Sequence, residues 1–406
     1  MSFYSTEKIV FWQYFAFVII YDIMANMMHS LSWVEIEAAR LYRNISLFKK
    51  LIGKERILCP AVKANAYGHG LEQSALIMVE AGADWLSVNS LFEAVLIRKA
   101  GIKVPIYIMG YVPIDELKIV VENEFHLVVY NKETLYVLAK ITAELQKPAF
   151  THLKLETGNY RQGITEDQLA DFLNIYREYP LIQIIGVATH FANAEDNTDS
   201  SYVFFQLNNF KKMISLIEQA GFLPKYRHCA NSAAIILFEE TYFNMVRLGI
   251  LAYGLWPSEG VKQFAAEQKK FLLELAPVLT WKTKVVQVKD VPAGAVIGYG
   301  CTYKATRLMR LAIIPVGYYD GYDRGLSSLA YVLIHGKKAP VRGRICMNIT
   351  MVDVTEIPNV KLEDEVVLVG SQLDEQISAE QMAKWLSTIN YEVTTRIREG
   401  LMRKVI

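Results

Sequence analysis

Lys63 stands directly after the apolar run ILCPAV and before the glycine-bearing segment ANAYGHG. A lysine placed where a buried strand opens into a tight turn can be desolvated, and desolvation favours the neutral amine. That form attacks an aldehyde to make a Schiff base; the plain alternative is an exposed loop lysine. His190 closes the run IQIIGVATH, Arg247 lies in MVRLG and Tyr299 in IGYG, so an imidazole, a guanidinium and a phenol are also on offer. Each has an ordinary reading as well: a rim histidine, a barrel-end ion pair, a tyrosine packed in a β-turn. Asn89, Glu156, Asn231 and Gly249 likewise fall at or just past the end of a strand-like run.

These residues need elements to bring them together. From residue 57 to about 250, short β-rich runs alternate with helical patterns, the signature of successive βαβ units and a parallel sheet. The runs are RILCPAV, DWLSV, PIYIM, FHLVV, FTHLKL, IQIIGVATH, YRHC and MVRLG, and eight parallel strands imply a closed (β/α)8 TIM-type barrel. Helical patterns over 71–82, 90–100, 131–146, 166–178 and 201–220 separate them. In such barrels functional side chains gather at the C-terminal ends of the strands, which is where Lys63, Asn89, Glu156, His190, Asn231 and Gly249 fall. After about residue 270 the texture changes: VLTWKTKVVQV, MRLAIIPVG, YVLIHG and EVVLVG are strand-like, and only 378–388 reads as a helix. The expected division is an N-terminal extension over 1–30, a barrel over 31–270 and a mostly antiparallel β domain over 271–406.

Composition narrows the functional classes. With 406 residues and 52% apolar residues, the chain can bury a large core. Lys and Arg number 43 against 42 Asp and Glu, a net charge of +1, which lacks the basic excess of a nucleic-acid binder. Cys59, Cys229, Cys301 and Cys346 form no CxxC pair and no zinc-type spacing, so free thiols in the cytoplasm and no metal are expected. The apolar run IVFWQYFAFVIIY at 9–21 is preceded only by Lys8, offset by Glu7, and is interrupted by Gln13 and Asp22 short of a membrane span. Met27 and Met28 precede a segment that reads like a fresh start, so the first residues are set aside from the fold, and no membrane association is expected.

AVKANAYGHG resembles the pyridoxal-phosphate lysine motif of the alanine racemases, a family with a barrel and a C-terminal β domain. The resemblance continues in order through KLETGNYRQG, VATHFANAED, CANSAA, MVRLGILAYGLWP, IGYGCTY, VGYYDGYDR, GRICMN and INYEVTTR, from about Leu31 to the end. It implies racemisation of L- and D-alanine with pyridoxal 5′-phosphate. Inversion α to a carboxylate needs an electron sink and two proton-transfer groups, one on each face of the planar intermediate. The family puts these on the lysine, here Lys63, for the D-substrate, and on the IGYG tyrosine, here Tyr299, for the L-substrate. That tyrosine enters the barrel of the other subunit, so the resemblance implies a homodimer with shared sites. It places His190 against the tyrosine and Arg247 between that histidine and the pyridine nitrogen, where an arginine that keeps its proton leaves the ring largely unprotonated.

The resemblance also assigns the cofactor phosphate to Tyr67, Ser232, Gly249 and Ile250; Gly249 suits a close backbone approach, and Ser232 also reads as a helix N-cap. Arg161 and the backbone of Met347 are implied for the substrate carboxylate, and Lys154 matches a lysine the family carbamylates, which would hold Arg161. A surface arginine and a snorkelling lysine are the structural alternatives. Two departures stand out. The family often has MDQ where this chain has Met347, Asn348 and Ile349, and many members carry a pocket-narrowing tyrosine a few residues past YEV, where this chain reads RIREGLMRKVI. The second departure suggests a wider pocket and a broader or serine-preferring racemase. A non-catalytic pyridoxal-phosphate carrier and a decarboxylase of the same fold are the other readings, and the β domain with Tyr299 speaks against the carrier. Supply of D-alanine for peptidoglycan is implied by the resemblance alone.

Overall fold

The computed structural model describes residues 31–195 and 198–406. The expected N-terminal extension and its apolar run lie outside the described residues. The first strand, β1 (Ser32–Ile36), is followed by the helix Ala38–Ile52. Then come eight strands: β2 (Ile57–Pro60), β3 (Leu86–Val88), β4 (Ile106–Ile108), β5 (His126–Val129), β6 (Ala149–Lys154), β7 (Ile182–Ala188), β8 (Tyr226–His228) and β9 (Met245–Leu248). Strands β3 to β8 form one parallel sheet in sequence order, and β2 pairs in parallel with β9. The Ala61–Ser87 bridge joins β2 to β3, and the Arg247 N–H donates to Ala230 O beyond the end of β8, closing the ring. All eight strands coincide with the runs read from the sequence, β6 alone starting one residue earlier, at Ala149.

The helices between them bury one stripe each. In Ala38–Ile52 the buried positions Leu41, Asn44, Ile45, Phe48 and Ile52 recur at helical spacing; this segment lies outside the patterns read from the sequence. The helix Leu91–Lys99 starts with a capping box, Ser90 accepting from the Glu93 N–H while Glu93 accepts from the Ser90 N–H.

The second half is built from β10 (Leu279–Lys284), β11 (Gln287–Val291), β12 (Val296–Ile297), β13 (Tyr303–Lys304), β14 (Met309–Ile314), β15 (Tyr331–Ile334), β16 (Lys337–Pro340), β17 (Thr350–Asp353), β18 (Glu365–Gln372), β19 (Glu375–Ile377) and β20 (Met402–Val405). Its main sheet runs β16-β15-β18-β10-β1-β20, with β19 on β18, beside a three-stranded sheet β11-β14-β17 and the hairpin β12-β13. The pairing is antiparallel except for β1 with β20.

Two features depart from the sequence reading. Strand β1, inside the stretch expected to be barrel, lies instead in the sheet of the second half, between β10 and β20. It is buried along nearly its whole length but has no partner nearby in sequence, so its pairing is fixed only by the chain's far end. The second feature is a helix, Asn390–Thr395, after the expected one, observed as Ala379–Leu386. It packs on the segment that follows Lys63: a Cβ on Gly68 would stand 2.0 Å from Thr394 O, and Arg403 Nε donates to Gly68 O at 3.2 Å.

Candidate active site

Lys63 begins a turn in which Ala64, Asn65, Ala66 and Tyr67 all take φ of 52–54°. Four consecutive non-glycine residues in the left-handed region cost about 1–2 kcal/mol each, so the surroundings must hold them. They do so by specific bonds. The Glu93 carboxylate accepts from the Ala64 N–H at 2.7 Å and from the Asn89 and Ser90 N–H groups at 2.8 and 3.0 Å. Asn65 Oδ1 accepts from the Leu71 N–H at 2.8 Å. His69 Nδ1 lies 3.0 Å from both Ala66 O and Tyr67 O, which requires Nδ1 to carry the proton. Burial, then the nearby Arg161, holds the Lys63 amine below its ordinary pKa. The desolvation expected of a strand-end lysine is therefore present.

Arg247 is buried in the barrel, and both terminal nitrogens of its guanidinium are engaged. Its guanidinium donates to His228 Nδ1 at 2.6 Å, His228 O at 2.8 Å and Thr189 O at 2.7 Å, and reaches His190 Nδ1 at 3.4 Å. His190 is kept far below the usual imidazole range by burial, then by the basic side chains Lys154, Arg247, Arg161 and Lys63. Lys154, at the end of β6, is pushed well down by desolvation and by Arg247 and Arg161. Lys154, Arg161 and His190 line one tight pocket with Glu156, Asn159 and Thr189. A site with this many cations and amine character calls for an anionic ligand or modification.

Beside it lies a cradle of small and hydroxylated groups. The Gly249 N–H donates to Ser232 Oγ at 2.8 Å, and a Cβ on Gly249 would come within 3.1 Å of Tyr67 Oη and 3.3 Å of Ser232 Oγ. Any side chain there would fill the space; two hydroxyls, the Gly249 backbone and the first residue of the following turn, Ile250, therefore converge on one small volume. This donor set, with a depressed lysine amine and a cationic guanidinium nearby, fits a phosphorylated aldehyde such as pyridoxal 5′-phosphate.

The other rim residues have structural duties. Asn231 caps the helix Ser232–Leu237 by accepting from the Ala234 N–H, and Glu156 accepts from the Gly158 and Asn159 N–H groups. Ser232 is thus the first helical residue rather than the cap. Tyr299 and Met347 stand apart, 73% and 54% exposed on the β domain. The tail has no tyrosine, but Tyr391, inside INYEV, sets its ring 6.1 Å from that of Tyr67 and donates to Glu195 Oε1 at 3.0 Å. Arg398, in the tail, is turned away, its guanidinium over the Tyr319 ring. Sequence reasoning also passed over Glu93, although the S-x-x-E spacing from Ser90 signals a carboxylate facing backbone donors at a helix start.

Comparisons with known proteins agree with this geometry. Residues 36–257 match the family model for the alanine racemase N-terminal domain and residues 278–405 that for the alanine racemase C-terminal domain. An alanine racemase of Desulforamulus reducens is 41% identical over 376 residues, 92% of this chain and 98% of the relative. One of Halothermothrix orenii is 39% identical over 373 residues, 92% of this chain and 96% of the relative. Among solved structures, the alanine racemase of Bacillus anthracis with bound L-Ala-P has a TM-score of 0.87 at 35% identity, over 93% of this chain and 96% of that one. Matched over both halves in sequence and structure, this chain belongs to the alanine racemase family.

Proposed function

We propose that the chain interconverts L- and D-alanine with pyridoxal 5′-phosphate at this barrel mouth. The reading is carried by the convergence of Lys63, Arg247 and the Tyr67–Ser232–Gly249 cradle on one rim. When bound, the cofactor supplies an electron sink for the negative charge that develops at the substrate Cα. The protein's share is binding, orientation and proton handling. Lys63 joins the cofactor and, with its amine desolvated, holds or returns a proton at Nζ on one face. Tyr67, Ser232, Gly249 and Ile250 hold the phosphate. Arg247 would serve the ring nitrogen as a donor that does not give up its proton.

Tyr299 serves the opposite face. An exposed phenol on the β domain is not enclosed by its own chain, and Tyr318, Tyr319, Met347 and Ile349 on the same domain are exposed as well. Backbone bonds from Tyr318 to Cys346 O and from Tyr319 to Met347 O tie these residues into one patch, as expected of a surface covered by a second protomer. In the homodimer Tyr299 and Met347 of each protomer complete the partner's site, with His190 beside the phenol. Arg161 and the Met347 backbone take the substrate carboxylate. Lys154, as a neutral amine among cations, combines with CO2 to give a carbamate and a released proton; the anion then holds Arg161. The product D-alanine feeds peptidoglycan, and the unpaired thiols of all four cysteines favour a cytoplasmic setting.

The test is to purify the protein with pyridoxal 5′-phosphate, record its visible absorbance and assay stereochemical conversion of alanine, serine and larger amino acids. Formation of D-alanine from L-alanine, with yellow absorbance lost in Lys63→Ala, is the expected result. No D-alanine, or unchanged absorbance in the variant, would overturn the reading.

A further inference from the structure

Three histidines that no part of the reaction uses lie end to end inside the barrel. His228 Nε2 is 2.8 Å from His152 Nδ1, and His152 Nε2 is 3.2 Å from His126 Nδ1. The first of them meets Arg247 through its other nitrogen, at 2.6 Å. His228 and His152 are fully buried; His126, the first residue of β5, is half-buried at the end of the barrel away from the mouth.

The chemistry of an arginine sets the direction of this chain. A guanidinium is only a donor, so His228 Nδ1 must accept and its proton sits on Nε2. That proton is donated to His152 Nδ1, which places the proton of His152 on Nε2 in turn, and the same step fixes His126. All three rings therefore carry the same tautomer, and a reversed proton on any one of them would oppose two donors across a buried contact. The fold makes room for this arrangement. His152 sits opposite Gly186 in β7, just where the β6–β7 register shifts, and a Cβ on Gly186 would lie 2.2 Å from His152 Nδ1. Tyr107 covers both inner rings, with centroids 4.6 Å from His152 and 5.2 Å from His228, and Trp85 covers His126 at 4.2 Å.

We infer that His228, His152 and His126 form a one-way hydrogen-bond relay whose function is to position Arg247 as a fixed donor at the barrel mouth. They are positioning residues: none faces the substrate, and all act through Arg247. The inference rests on the reading of Arg247 as the neighbour of the cofactor ring. Burial agrees with neutral rings throughout, lowering His126 to about 3 and holding His152 and His228 well below their ordinary range. The charged groups bearing on the chain are Arg247 and Lys154 at one end and Arg98 and Lys225 at the other, all of which disfavour protonation.

The experiment uses the holoenzyme with ¹⁵N-labelled histidine, assigned by single variants. At pH 7 all three rings should show a protonated Nε2 and a bare Nδ1; a protonated Nδ1 on any of them would overturn the relay. His152→Leu should lower kcat for alanine at least tenfold with KM within twofold, and His152→Gln, which can still accept and donate, should recover at least a third of the wild-type kcat. A Leu variant with kcat within twofold of wild type would overturn it. His126→Leu sits at the half-buried end, where folding is least threatened. It should shift the ¹⁵N resonances of His228, two rings away, and an unmoved signal would count against the relay. A wild-type holoenzyme inactive on alanine would overturn the functional reading instead, and the tautomer pattern would still decide the relay.

Discussion

Replacing Gly186 by alanine tests how tightly the barrel interior is built around its histidines. The backbone at Gly186 is outside the left-handed region, so the whole effect comes from space. The new methyl would stand 2.2, 2.6 and 2.7 Å from Nδ1, Cε1 and Cγ of His152. The ring cannot step aside, because it is fully buried and stacked on Tyr226 at an interplanar angle of 3° with Tyr107 on another side. Overpacking of this kind costs about 1–3 kcal/mol, and displacing the ring leaves the buried His228 N–H without its acceptor, about 1–3 kcal/mol more. The expected loss is roughly 2–6 kcal/mol in a urea titration. His152→Ala removes the ring and frees the space, so Gly186→Ala should be far milder in that background, with a coupling of about 1–3 kcal/mol in the double-mutant cycle. Additivity within about 0.5 kcal/mol would refute the reasoning, since it would mean that the methyl and the ring do not compete for one volume.

Tyr299→Phe should slow proton exchange on one face only, seen as unequal α-deuterium incorporation from L- and D-alanine; equal loss from both enantiomers would contradict the two-face arrangement. Lys154 should give a ¹³C carbamate resonance after equilibration with labelled bicarbonate, absent in Lys154→Ala, and an unchanged spectrum would remove the proposed support of Arg161. Stability should fall as pH drops. His69, His126, His152, His190 and His228 are all held neutral in the fold, so below the ordinary value of 6.5 the unfolded chain takes up protons that the native one refuses. Each contributes up to about 1.4 kcal/mol per pH unit, from about 6.5 down to its folded value, about 4 for His69 and about 3 for His126. A midpoint of thermal unfolding that stays flat between pH 7 and pH 5 would show that these rings titrate freely.

Local pattern was enough for the eight barrel strands. Most are short β-branched or aromatic runs ending at or near a polar or glycine residue, so both their existence and their functional ends could be read from neighbours in sequence. The motif residues Lys63, His190, Ser232, Arg247 and Gly249 sat at those ends and met at the mouth, because a closed parallel barrel turns strand-end position into spatial proximity. What depends on distant partners could not be read that way. The pairing of β1 with β10 and β20 joins residues about as far apart as the chain allows. The left-handed turn after Lys63 persists only because Glu93, His69 and the helix Asn390–Thr395 hold it, and no residue in KANAY announces positive φ. Tyr391 stands in plain view in INYEV, but its place beside Tyr67 is decided by how the second half folds back on the barrel. The histidine chain shows the division most clearly. The sequence supplied His126, His152 and His228 on three separate strands, and only barrel closure, with Gly186 leaving room, set them in line with Arg247.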